Sequence, residues 1–173
     1  TCISDEDKEL RALYPHLYEE IKVSKSVKGE HHDLYSCSAF WYPDLDRLVA
    51  SVPICVTQIV SVGSGSGFIE SLINERFNVT CFDAGVQYRD PKKLFMPTTE
   101  VYAENIDFGC FDLNQTALFM SWPRNFFATD TLSRFLDCGG TVFIYLHPND
   151  ISKCGGLIFS RYLESKMTAF ASF

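Results

Sequence analysis

Three glycines at alternate positions mark the part of the sequence most able to do chemistry. The stretch Val60–Phe68 reads Val-Ser-Val-Gly-Ser-Gly-Ser-Gly-Phe, and its glycines are Gly63, Gly65 and Gly67. An apolar strand ends there and a helix begins, so the glycines let the backbone turn sharply and pass close beneath a ligand. The following helix offers unbonded N–H groups and the positive end of its dipole. The pattern predicts a ligand-binding loop, with a flexible Gly/Ser turn as the simpler alternative.

The spacing of the glycines narrows the class of ligand. A dinucleotide-binding fingerprint, Gly-x-Gly-x-x-Gly, needs a glycine where Phe68 stands, and a phosphate-binding Walker loop needs a Gly-Lys-Ser/Thr that does not follow. Asp83 closes the next apolar segment, 20 residues beyond Gly63. A carboxylate at the end of the second strand can accept hydrogen bonds from both ribose hydroxyls of an adenosine. The loop and the acid together predict a nucleoside site, and Phe68 in place of the third glycine disfavours an NAD-dependent oxidoreductase.

Short apolar segments alternate with helical ones and must hold this loop and this acid in place. The predicted strands are Gln58–Val62, Phe77–Phe82, Thr116–Trp122 and Thr141–Leu146, with Glu100–Asn105 as a candidate fifth, and the predicted helices are Asp5–Lys22, Asp44–Ser51, Phe68–Arg76, Phe126–Leu136 and Ile158–Lys166. This alternation favours an α/β fold with a Rossmann-like, mostly parallel sheet and helices on both faces.

The length of 173 residues fits a single domain. Within it we expect an N-terminal helical extension over 1–39 and a cofactor-binding core over 40–147. A C-terminal helix and a strand, Met167–Phe173, are expected over 148–173. Only 27 residues follow Leu146, so the sheet is expected to be trimmed at its C-terminal end.

These motifs resemble those of class I S-adenosylmethionine-dependent methyltransferases over about residues 40–146. The glycine loop resembles the family's first motif, Asp83 its ribose-binding acid, and Ser121-Trp122-Pro123 its fourth-strand motif. The resemblance implies S-adenosyl-L-methionine as the cofactor. It also implies cofactor-binding roles for Gly63, Ser64, Gly65, Gly67, Asp83, Ser121 and Asn105, with Asp107 as the alternative to Asn105 at the adenine amine. The family usually carries an acid two residues before the first glycine; this chain has Ser61 there, and Glu70 is a nearby group that could compensate.

The residues after the fourth predicted strand restrict the methyl acceptor. In the resembled family, amine methylases carry an Asp/Asn-Pro-Pro-Tyr/Phe motif at this place, and ribose 2′-O-methylases carry a Lys-Asp-Lys-Glu tetrad. The sequence lacks both, and it also lacks a Pro-Cys motif for cytosine C5 transfer. The remaining chemistry is in-line attack by an existing lone pair, such as N7 of an RNA cap guanine, for which an enzyme supplies proximity and orientation. Trp122 and Tyr42 are candidate stacking surfaces, with core packing as the alternative. His147 is a candidate general base or a surface turn residue.

The charge balance argues against a dedicated nucleic-acid binder. The chain carries 22 acidic and 15 basic residues, a net charge of −7, so contact with RNA would need a local pocket. Capped RNA, suggested by the acceptor chemistry, or a small-molecule acceptor, favoured by the charge, is the expected partner, and no DNA is expected. No membrane is expected either, because no apolar run approaches the roughly 18 residues that span a bilayer. A small-molecule methyltransferase and a catalytically silent methyltransferase-like binding module are the alternatives.

The seven cysteines favour a reducing, cytoplasmic compartment, because their number is odd and no Cys-x-x-Cys pair occurs. His31, His32 and Cys37 lack a fourth ligand, so no metal site is predicted. The start at Thr1, the compact size and the Cys- and Phe-rich composition would suit a domain of a viral polyprotein.

Overall fold

The structure is a computed structural model that describes residues 42–85, 94–123, 125–146 and 156–168. All of these residues belong to one compact unit. The predicted helix Asp5–Lys22 and the candidate residues His31, His32, Cys37 and His147 lie outside the described residues. Within the described ranges, no helix has the length and apolar character needed to cross a membrane.

One open sheet of five parallel strands forms the centre of the fold. The strands are β1 Gln58–Val62, β2 Asn78–Phe82, β3 Thr98–Thr99, β4 Thr116–Ser121 and β5 Val142–Leu146, and the helices are α1 Tyr42–Ser51, α2 Phe68–Ile73, α3 Asn125–Asp137 and α4 Gly156–Lys166. Their order across the sheet is β3-β2-β1-β4-β5, and every neighbouring pair is parallel. Val62 lies opposite Phe82, and Ser121 lies opposite Leu146. The predicted α/β, Rossmann-like fold is confirmed.

Alternating side chains along the strands divide the core into two layers. Ile59 points into one layer, where α1 and α2 contribute Leu45 and Ile73. Val60 points into the other layer, where α3 and α4 pack and Phe135 is fully buried. A parallel sheet that is apolar on both faces needs helices on both faces. Here α1 and α2 cover one face, and α3 and α4 cover the other.

Helix α2 is shorter than predicted, ending at Ile73 rather than at Arg76. Asn74 ends it, because its side-chain oxygen accepts a hydrogen bond from the N–H of Val79 at 3.1 Å and so turns the chain into β2. The other predicted elements that fall within the described residues, apart from the candidate fifth strand and the predicted C-terminal strand, begin and end within two residues of the prediction. The first two residues of that C-terminal strand, Met167–Phe173, are the only ones described, and they are not in a strand.

The prediction of a strand over Glu100–Asn105 is wrong. In this part of the chain β2 pairs with Thr98–Thr99, ahead of the predicted segment, whose last three residues form a 3-10 helix. Arg134 of α3 accounts for the difference, because its guanidinium donates to the carbonyl oxygens of Ala103 and Ile106 at 2.7 Å each. These bonds tie the segment to α3, which leaves it outside the ladder of β2.

Candidate functional site

The glycine loop, residues 63–67, lies at the carboxyl edge of the sheet between two other predicted site segments. It follows β1, whose neighbours are β2 and β4. Asp83 follows β2 and Trp122 follows β4, so the tertiary structure brings both residues to the edge where the loop lies. The strand order reverses between β1 and β4, and open α/β sheets bind ligands in the crevice at such a switch point.

All three glycines of the loop adopt backbone conformations that other residues rarely adopt. Gly63, Gly65 and Gly67 have φ of 79°, 62° and 75°. At Gly67 a Cβ would also lie 2.8 Å from Cβ of Met96 and 3.1 Å from its backbone nitrogen. Each of the three positions therefore requires glycine because of its positive φ, and Gly67 also requires it because a Cβ would collide with Met96.

Most N–H groups of the glycine loop donate hydrogen bonds to oxygen atoms of the protein itself. The N–H groups of Gly63 and Ser64 point to the carbonyl oxygen of Phe82 at 2.8 and 3.3 Å, and that of Gly67 points to the carbonyl oxygen of Ser64 at 2.9 Å. The N–H of Gly65 donates to a carboxylate, that of Asp83, at 2.8 Å. A loop that cradles phosphates keeps such groups for the ligand, so this loop is not arranged as a phosphate cradle.

The Asp83 carboxylate accepts hydrogen bonds from the glycine loop and from the chain that follows β2. Its Oδ2 accepts from Gly65 of the glycine loop, and its Oδ1 accepts from the N–H of Gly85 at 2.6 Å. The side chain is half-buried. Each carboxylate oxygen can accept more than one hydrogen bond, so the carboxylate keeps capacity for a ligand's hydroxyl groups.

Ser61 and Glu70 form a buried pair at the base of the loop. The Ser61 hydroxyl donates to Oε1 of Glu70 at 2.6 Å, and the two residues are 1% and 2% exposed. Burial raises the pKa of Glu70 to about 7 against the opposing hydrogen bond from Ser61, and the nearby Asp83 carboxylate adds to the rise. The structure therefore places a carboxyl group against Ser61; its compensating role stays a prediction.

Two further polar groups lie close to this pair. The Ser64 hydroxyl is buried and makes no hydrogen bond of ordinary geometry within the described ranges, although the Cys81 thiol lies beside it. Burial raises the pKa of Cys81 to about 12, the charge of Glu70 adds to that rise, and Ser64 opposes it. Cys81 is therefore a protonated, apolar-like neighbour, and the Ser64 hydroxyl beside it is a buried polar group.

Trp122 directly follows β4 and has a left-handed backbone with φ of 50°, the one such non-glycine residue among those described. Its N–H donates to the carbonyl oxygen of Leu146 at 2.9 Å, which holds the turn against the end of β5. Ser121 and Trp122 are both half-buried, and Pro123 is buried. Left-handed backbone costs a residue with a Cβ roughly 1–2 kcal/mol, and such strain is concentrated at functional sites.

The structure places Asn105 and Asp107 on the turn that follows β3. Asn105 is exposed at the end of the 3-10 helix, and its N–H donates to the carbonyl oxygen of Tyr102. The carboxylate of Asp107 accepts from the Cys110 thiol at 3.1 Å and from the N–H of Gly109 at 2.9 Å, and these two bonds lower its pKa. Both residues lie on the connection out of β3, next to β2, and their contact with adenine stays a prediction.

Sequence reasoning missed the packing behind the loop. Met96 closes the space behind Gly67, and the N–H of Phe95 donates to the carbonyl oxygen of Ser66 at 2.8 Å. The ring of Phe127 lies 3.4 Å from the position a Cβ on Gly63 would take. No periodic pattern marks residues 94–97. Phe127 is recognisable in the sequence as an aromatic residue near the start of α3, and in the structure it packs against the core layer that contains α3.

Two predicted catalytic residues are not placed by the structure. Tyr42 begins α1, but its side chain lies outside what the structure describes, and so does the whole of His147.

Comparison with models of protein families, with curated proteins and with solved structures finds no match to this chain.

Proposed function

We propose that the protein is an S-adenosylmethionine-dependent methyltransferase, with N7 of an RNA cap guanine as the leading acceptor. The observation that carries the proposal is the hydrogen bond between Asp83 and the N–H of Gly65. It joins the acid after β2 to the glycine loop after β1, which is the arrangement that an adenosine ribose needs.

The charges beneath the loop support a sulfonium cofactor over a dinucleotide. Asp83 and Glu70 place two carboxyl groups at this edge, close enough for Asp83 to raise the pKa of Glu70. A pyrophosphate would meet these acids and a loop whose N–H groups are mostly engaged, whereas a cation would be attracted to them. S-Adenosylmethionine carries a positive sulfonium and no phosphate.

The turn after β4 supports chemistry that needs no general base. The residues described there are Ser121, Trp122 and Pro123, none of which is a carboxylate or an amine. A guanine N7 already presents its lone pair, so binding the base in line with the methyl group is the main requirement. The strained, half-buried Trp122 is the described aromatic surface at the switch point on which a base could stack.

The first test measures binding to the full chain by calorimetric titration with S-adenosylmethionine, S-adenosylhomocysteine and NADH. We expect both sulfur nucleosides to bind and NADH not to bind. Binding of NADH with no binding of either sulfur nucleoside would overturn the proposal.

The second test identifies the acceptor. Radiolabelled S-adenosylmethionine is incubated with capped RNA that carries an unmethylated guanosine, and separately with a panel of small-molecule acceptors. We expect label on guanine N7; label only on a ribose 2′-oxygen, or only on a small molecule, would replace the acceptor.

A silent binding module is the second candidate, and one observation favours it. Ser61 stands where the resembled family usually carries an acid, and the carboxyl group held against it, Glu70, is buried with its pKa raised to about 7. Tight binding of S-adenosylhomocysteine without label on any acceptor would establish this candidate in place of the enzyme.

A further inference from the structure

The bond between Ser61 and Glu70 closes the base of the glycine loop. Ser61 lies on the strand that enters the loop, and Glu70 is the third residue of the helix that leaves it. The hydroxyl donates to the carboxyl group at 2.6 Å, and both side chains are almost fully buried. A change at this carboxyl group therefore acts on both ends of the loop at once.

The surroundings of Glu70 contain acids and no partner cation among the described neighbours. Asp83, after β2, acts on it as a like charge, and Cys81 of β2 is a protonated thiol beside it. The charged groups of α1 are engaged elsewhere, because Arg47 lies 3.6 Å from Asp44 and Arg76, after α2, lies 3.9 Å from Asp46. Burial raises the pKa of Glu70 to about 7, the like charge of Asp83 adds to the rise, and no cation among the described neighbours opposes it.

We propose that Glu70, held by Ser61 beneath the glycine loop, is a positioning residue whose loss of a proton is coupled to the binding of a cationic ligand on that loop. The inference rests on the proposed function for the ligand, the sulfonium form of the cofactor. A positive charge above the loop favours the ionised carboxyl group, so binding releases a proton. By reciprocity, ionisation of Glu70 strengthens binding.

The same coupling makes the affinity for the cofactor differ from the affinity for its product. S-Adenosylmethionine carries a sulfonium charge that S-adenosylhomocysteine lacks, although both have the methionine ammonium group. The ionised carboxyl group therefore favours the charged cofactor over the uncharged thioether. As the pH rises through the pKa of Glu70, the preference for cofactor over product is expected to increase.

The test is the affinity of the full chain for both nucleosides between pH 5.5 and 7.5, by calorimetric titration in two buffers of different ionisation enthalpy. A tenfold preference of the ligand for the ionised form would raise the affinity for S-adenosylmethionine about sixfold over this range. The two buffers would reveal proton release on binding near pH 7. For S-adenosylhomocysteine we expect a smaller rise.

Two variants identify the group responsible. Glu70→Gln keeps an oxygen that can accept from Ser61 but cannot ionise, so it should bind without proton release and with less than half of the wild-type pH dependence. Glu75→Gln removes an exposed acid that follows the same helix and should behave as the wild type. Because the ligand is the same in every variant, ionisation of the ligand itself cancels in the comparison.

The coupling of Glu70 to binding and the proposed function fail on different results. Binding of the sulfonium nucleoside with the same pH dependence and proton release in wild type and Glu70→Gln would overturn this inference and leave the proposed function standing. Failure of both nucleosides to bind at any pH would overturn the proposed function, and the inference with it.

Discussion

Asp83 links two segments of the proposed site through one carboxylate. Its bond to Gly65 fixes the glycine loop against the end of β2, and its bond to Gly85 holds the chain that follows. Replacing Asp83 with Ala should lower the affinity for S-adenosylhomocysteine by about 1.5–3 kcal/mol, because charge-assisted hydrogen bonds are lost. Calorimetric titration measures the loss, and Asp137→Ala, at the exposed end of α3, is the control. Unchanged affinity in Asp83→Ala would remove the ribose assignment.

The backbone strain at Trp122 can be separated from the loss of its ring. Trp122→Gly and Trp122→Ala both remove the indole, but only glycine adopts φ of 50° without a Cβ penalty. The Gly variant should therefore be more stable than the Ala variant by about 0.5–1 kcal/mol in denaturant unfolding. Methyl transfer should fall equally in both, by the roughly 1–3 kcal/mol that base stacking contributes. Equal stability of the two variants would show that the strain is not held by the native structure.

At the scale of the elements, the glycine loop depends on the segment that packs behind it. Gly67→Ala adds a Cβ only 2.8 Å from Met96 at a φ of 75°, so it should destabilise the fold by about 2–4 kcal/mol. Gly139 is the matched control, since its φ is 100° and nothing lies within 4 Å of an added Cβ. Gly139→Ala should cost only the conformational share, about 1–2 kcal/mol. Similar losses of denaturant stability in the two variants would contradict the close packing of Met96.

Helix α3 holds the segment after β3 through Arg134. Its guanidinium donates to two carbonyl oxygens at 2.7 Å each and lies 5.9 Å from the ring centre of Phe108. Arg134→Met should lower the free energy of unfolding by about 2–3 kcal/mol, because both carbonyl groups lose a charged donor. Arg134→Lys, with one donor group in place of a fork, should lose about half as much. Hydrogen exchange over residues 101–110 should accelerate in the order wild type, Lys, Met, and unchanged exchange would rule out this clamp.

For the whole molecule, Glu70 makes stability depend on pH. Its pKa is raised from 4.5 to about 7 by burial, so its stabilising contribution is complete below about pH 4.5 and is lost as the pH rises through 7. The loss is about 3 kcal/mol from this group. Unfolding by denaturant between pH 4.5 and 8 should show that the advantage of wild type over Glu70→Gln falls with rising pH. Parallel curves for the two proteins would show that Glu70 does not titrate in this range.

The sequence alone determined the type of fold and the location of the loop. Short apolar runs bounded by glycine and proline predict buried parallel strands, and β1 was predicted to the residue. The spacing from Gly63 to Asp83 predicted that the loop and the acid share an edge, because parallel strands that follow one another commonly end side by side. These features are local or follow from chain order, and therefore they can be read without coordinates.

Only the tertiary structure decided which groups bond to one another across that edge. The pairing of Ser61 with Glu70, the use of the Gly65 N–H by Asp83 and the approach of Met96 to Gly67 depend on strand register and on how each crossover returns. The 3-10 helix in place of the strand over Glu100–Asn105 has the same origin, since Arg134 comes from a distant helix. Hydrogen bonds and close packing join atoms within a few ångströms in space, and the periodicity of a sequence carries no information about such distances between remote segments.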